Sequence, residues 1–185
     1  MTSQGTDVRV LSASREIAAG AGTIFELIAD PALQPSWDGN DNLAVAAAGQ
    51  RVRGVGEVFA MTLTRTSGVR DNRVTEFEEG RLIAWLPGDA GQEPAGHLWR
   101  WELEPLDESR TLVTQTYDWT GLPPDAPAKR LERARSTTAD MIQASLDRLA
   151  ALAEASELHG GKIKLLRDVT PGFPGVLSPN NLRSS

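Results

Sequence analysis

Few residues in this chain could do chemistry, and they sit in two stretches. The first is HLWRWELEP, residues 97–105. His97 leads it, and an imidazole titrates near neutrality, so it can act as general acid or base. At a surface or cavity mouth the same residue needs no chemical role. The second stretch is GVRDNRVTEFE, 68–78, where Asp71 and Arg73 share one face. Turned inward, they would bind a ligand carbonyl or carboxylate. Turned outward, they are ordinary edge charges. The pattern leaves open which of Asp71 and Asn72 faces in.

Aromatic residues surround these candidates. His97, Trp99, Trp101 and Leu103 alternate with Arg100, Glu102 and Glu104, which is strand periodicity. In TLVTQTYDWTG, 111–121, Val113, Gln115, Tyr117 and Trp119 share a face. Trp85, Phe59 and Met61 would line the same space. Trp37 lies on the proline-edged segment ADPALQPSWDG, 29–39, as a plug or rim residue. Thr138, Met141, Ile142 and Ser145 would be offered by a long helix, the small residues leaving room. Aromatics at this period either pack as core or stack on a flat ligand.

Several function classes are excluded. There is no cysteine, so thiolate chemistry and Cys-ligated metals are absent, and two histidines are too few for a His-rich metal site. A net charge of −6 with no basic run argues against nucleic-acid binding. RLERAR, 130–135, reads as the solvated side of a helix. No phosphate loop or dinucleotide glycine pattern is present, so no cofactor is expected; Gly54-Val55-Gly56 is a turn. No apolar run approaches the roughly 20 residues of a membrane span. MTSQGTDVRV lacks a signal-peptide pattern, so a cytoplasmic protein is expected.

The elements that must position these residues follow from periodicity and breakers. VRVLSASREI, 8–17, reads as a strand. Thr23 is placed to cap a short helix that Asp30-Pro31 ends, with one further turn starting near Pro31. An edge strand, a run of antiparallel strands and a Ser67-Gly68 tight turn follow. The segment after Pro127 reads as one helix of about 28 residues, roughly 40 Å long. Its apolar stripe is Leu131, Ala134, Thr138, Met141/Ile142, Ser145, Leu149 and Leu152. This order is α+β. A curved sheet can wrap the helix, and one helix stripe cannot fill it, so an internal cavity is expected. Residues 1–155 form the expected domain. Residues 156–185 form a Pro/Gly-rich tail with apolar side chains, which either hangs free or docks, or packs on a second copy as a homodimer.

The stretches ASREIAAGAGTIFELIADPALQPSWDG, VTEFEEGRLIAW and ELEPLDESRTLVTQTYDW, before the long helix, resemble the START/Bet v 1-like superfamily. The resemblance is closest to its bacterial polyketide cyclase/dehydrase-type branch, through Phe25, Leu27, Asp30-Pro31 and Trp37. It implies a helix-grip fold, in which a curved antiparallel sheet wraps a long C-terminal helix and two short helices close one end. It also implies a cavity for a small hydrophobic ligand: a lipid, a polyketide or a quinone-like molecule. A cyclase would need polar groups to guide enolisation, for which Asp71, Arg73, His97, Gln115 and Tyr117 are the natural set. The same fold also serves as a protein-interaction module. A binder predicts an apolar cavity, an enzyme predicts converging polar side chains, and a partner module predicts a filled interior.

Overall fold

The computed structural model describes residues 8–160. Strand β1 (Val10–Ile17) leads into helix α1 (Ala21–Ala29) and a 3-10 turn (Gln34–Ser36). Strands β2 (Leu43–Val45), β3 (Val58–Leu63), β4 (Val69–Glu78), β5 (Leu82–Asp89), β6 (Leu98–Asp107) and β7 (Arg110–Asp118) follow. Helices α2 (Ala128–Arg135) and α3 (Ala139–Leu158) end the described chain. The strands form one antiparallel sheet in the order β1-β7-β6-β5-β4-β3-β2. This is the α+β helix-grip architecture.

α3 packs against β1, β7 and α1. Its buried face is Ile142, Leu146, Leu149, Ala150 and Ala153, at helical spacing. All but Ile142 join Ile17, Ile24, Ile28, Trp101 and Val113 in the main core, while Ile142 joins Tyr117, Trp119, Leu122 and Ala134 in a second cluster.

Three local expectations are corrected. The single long helix is two, broken over Ser136-Thr137-Thr138. Hydroxyl side chains compete for backbone hydrogen bonds: Ser136 Oγ donates to the Arg133 carbonyl at 2.7 Å, and Thr138, in extended conformation, caps α3 by accepting from Met141 N. The helix α1 begins at Ala21 rather than after Thr23. Glu157 of α3 reaches its first turn instead, accepting from Thr23 Oγ1 at 2.6 Å and from Gly20 N at 3.3 Å. A carboxylate suits the positive end of a helix dipole. The β3–β4 connection spans residues 64–68, with Ser67 at φ 50°. α3 runs to Leu158; residues 161–185, and with them the docking or homodimer role of the tail, lie outside the described residues.

Candidate cavity and its mouth

The ADPALQPSWDG segment closes one end of the fold through backbone accounting. The last carbonyls of α1 need donors from outside the helix. Pro31 has no N–H for the Leu27 carbonyl; the Trp37 indole N–H supplies it at 2.8 Å. Gln34 Nε2 donates to the Ile28 carbonyl at 3.1 Å, and Val52 N to the Ala29 carbonyl at 2.9 Å. Trp37 is thereby fixed with its ring edge-on to Trp101, centroids 5.1 Å apart. Gly39 then lets the chain meet α3: a Cβ there would lie 2.1 Å from the Met141 carbonyl oxygen. Gly39 N donates to Ser145 Oγ at 2.8 Å.

Between the sheet's concave face and these elements lies a cavity of about 590 Å³. Trp37, Met61, Trp85, His97, Trp99, Trp101, Gln115, Tyr117 and Met141 line it. The other sequence candidates do not. Phe59 packs behind Trp85, ring centroids 5.5 Å apart. Trp119 lies in the second cluster, with the guanidiniums of Arg9 and Arg135 against its ring. Thr138 is exposed because it caps α3, Ile142 packs in the second cluster, and Ser145 is spent on Gly39 and the Met141 carbonyl.

The register of β4 decides between Asp71 and Asn72. Arg70 and Asn72 line the cavity. Asp71 and Arg73 alternate with them and face away: Asp71 accepts from Gly91 N at 2.8 Å, and Arg73 pairs with Glu93 at 3.3 Å. A bulge between Val74 and Glu76 then reverses parity, so that Phe77 packs inward, edge-on to Phe25, while Glu76 bonds Arg100.

The polar centre of the cavity is His97 with Tyr117. His97 Nδ1 lies 3.2 Å from the Tyr117 hydroxyl, which also bonds the side chain of Thr137. Trp99 stacks on Tyr117 with centroids 4.4 Å apart. Burial pushes the His97 pKa down to about 4, helped by the charges of Arg130, Arg133 and Arg70. Burial pushes the Tyr117 phenol up to about 12, against the Thr137 hydrogen bond. Both groups are therefore neutral at pH 7. Deeper in, Trp101 and Gln115 are opposite each other in register, and Trp101 Nε1 and Gln115 Oε1 are buried with no hydrogen-bond partner among the described residues.

At the edge, Asp38 is buried and raised in pKa, desolvation outweighing hydrogen bonds from the backbone of Asn42, Asn40 and Leu43. Arg65, Arg70, Asp89, Arg130, Arg133 and Thr137 line the mouth. Sequence reasoning missed most of these. Arg130 and Arg133 belong to RLERAR, read as a solvated face; Arg133 is exposed and Arg130 half-buried, and both also line the cavity. Among the described residues no cluster of three His, Cys, Asp or Glu is placed to hold a metal, and no helix is long and apolar enough to cross a membrane.

Residues 9–154 match the family described as polyketide cyclase / dehydrase and lipid transport. The chain belongs to that family. An uncharacterized protein of Mycobacterium tuberculosis is 33% identical over 116 residues, covering 59% of this chain and 47% of its own length. The chain thus spans about half the length of the curated relatives it matches. Among solved structures, an aromatase/cyclase from Streptomyces aligns with TM-score 0.58 at 18% identity, covering 83% of this chain and 99% of that one. A START superfamily protein from Mycobacterium smegmatis aligns with TM-score 0.54 at 17% identity, covering 79% and 97%. These likenesses establish the START/Bet v 1 fold.

Proposed function

We propose that this family member binds a small, largely apolar molecule in its cavity, with an oxygen function of that molecule meeting His97 and Tyr117. The observation that carries this is the cavity itself, about 590 Å³ and walled by Trp37, Trp85, Trp99 and Trp101. That volume is within the range of small-molecule sites. It also weighs against a partner module, which predicts a filled interior.

The family and the aromatase/cyclase neighbour make proton-transfer chemistry on a ketone the competing reading, and His97 and Tyr117 do converge. Their titration favours binding. General acid–base catalysis works best with pKa values near the operating pH. An imidazole at about 4 is a weak base at pH 7, and a phenol at about 12 is a weak acid. What the pair offers is a preset hydrogen-bond site. The Tyr117 hydroxyl bonds the Thr137 side chain, and a hydroxyl both donates and accepts, so the phenol can donate to His97 or to a ligand carbonyl.

Native mass spectrometry of the protein purified from its own host tests the reading. A co-purifying small molecule that raises the melting temperature on re-addition is the expected result. Ligand-free protein that no lipid or polyketide extract stabilises would sink it.

A further inference from the structure

Arginine is concentrated at the cavity mouth of a chain whose net charge is −6. Arg65 from the β3–β4 connection, Arg70 from β4, and Arg130 and Arg133 from α2 all line it. Asp89 is the carboxylate that faces them. It pairs with Arg70 and lies 3.7 Å from Arg130, so two guanidiniums share one acid. Among the described residues Arg133 has no ion-pair partner, and Arg65 contacts the Asn40 carbonyl at 3.5 Å while its charge also acts on Asp41. The remaining acids in the lining are already engaged. Glu93 pairs with Arg73, and Asp38 holds three backbone N–H groups.

Arginines on a surface are usually just solvated, and four on one element would carry nothing. These come from three elements and converge on one opening. Three of them, Arg130, Arg133 and Arg70, also lie close enough to the buried His97 for their charges to lower its pKa. Each guanidinium presents five N–H donors in a rigid fork suited to planar or tetrahedral oxyanions.

We propose that the cavity's ligand is an amphipathic anion, its apolar body among the tryptophans and its carboxylate or phosphate head group at the mouth on Arg70, Arg130 and Arg133. This rests on the cavity-binding reading and adds the charge of the substrate class. The head group takes up donors that Asp89 cannot saturate, beside the Tyr117–His97 pair.

Binding of 2-naphthoate, 2-naphthyl phosphate and the neutral 2-naphthamide, followed by tryptophan fluorescence, tests it. In low salt at least one anion binds about tenfold more tightly than the amide, and the preference shrinks as salt is raised. Which anion wins tells a carboxylate ligand from a phosphate one. In the double variant Arg130→Gln/Arg133→Gln the preference collapses toward one. In Lys129→Gln, which removes a charge from the exposed part of the same helix, it persists. Equal binding of amide and anions by the unmodified protein would overturn the proposal while leaving the cavity reading standing. So would a Lys129→Gln variant that loses as much preference as the double variant. If no probe binds at all, the cavity-binding reading fails and the proposal with it.

Discussion

At the residue scale the chemistry of this molecule is set by where a neutral imidazole is kept. His97 lies against Tyr117 in a buried site, and that burial, together with the charges of Arg130, Arg133 and Arg70, disfavours its protonation. Its folded pKa, about 4, lies below the roughly 6.5 of an unfolded histidine. The unfolded chain therefore binds more protons in the window between those values. Stability rises with pH across it. The contribution is intact above about 6.5 and is lost as pH falls toward 4. Urea unfolding between pH 4 and 8 should show this slope in the native protein and a flatter one in His97→Asn. Asp38, whose raised pKa works in the opposite sense, is common to both proteins and cancels in the difference. Identical slopes would mean that His97 is hydrated and unperturbed.

At the element scale the segment around Trp37 is a helix terminator made from side chains. Pro31 removes the donor that the Leu27 carbonyl would otherwise have, and the indole replaces it at 2.8 Å. Trp37→Phe keeps an aromatic ring but leaves that buried carbonyl unpaired. A loss of about 1–3 kcal/mol is expected in chemical denaturation. A smaller loss, close to that of a conservative ring swap, would show that the bond is dispensable. The strand faces were legible in sequence where alternation is unambiguous: Phe59, Met61 and Leu63, and likewise Trp99 and Trp101, face inward. β4 was not legible, because Arg70, Asp71, Asn72 and Arg73 are polar on both faces and the bulge at Val74/Glu76 moves the inward parity from Asn72 to Phe77. The helix break was hidden for a related reason. The apolar stripe runs across Ser136-Thr137-Thr138 without losing phase, so periodicity alone reads one helix where hydroxyl hydrogen bonds make two.

At the scale of the whole molecule the question is whether the space under the sheet is a cavity or a loosely drawn core. The order of elements implied a void, since one helix cannot fill a curved seven-stranded sheet. Its extent could not be read, because that depends on how far α3 lies toward the β1 and β7 side and on which residues α2 brings over the opening. Met61 separates the two cases. It is buried, and it is one of the residues that line the cavity. In a close-packed interior, replacing it with a larger ring forces side chains off their rotamers and costs about 1–3 kcal/mol. Facing about 590 Å³ of free volume, the added ring of Met61→Trp has somewhere to go. The expected outcome is a stability change under about 1 kcal/mol, together with at least a tenfold loss of 2-naphthamide affinity, because the new ring takes up the space where the probe binds. A variant that is strongly destabilised yet binds the probe normally would place the binding site elsewhere and return this region to the core.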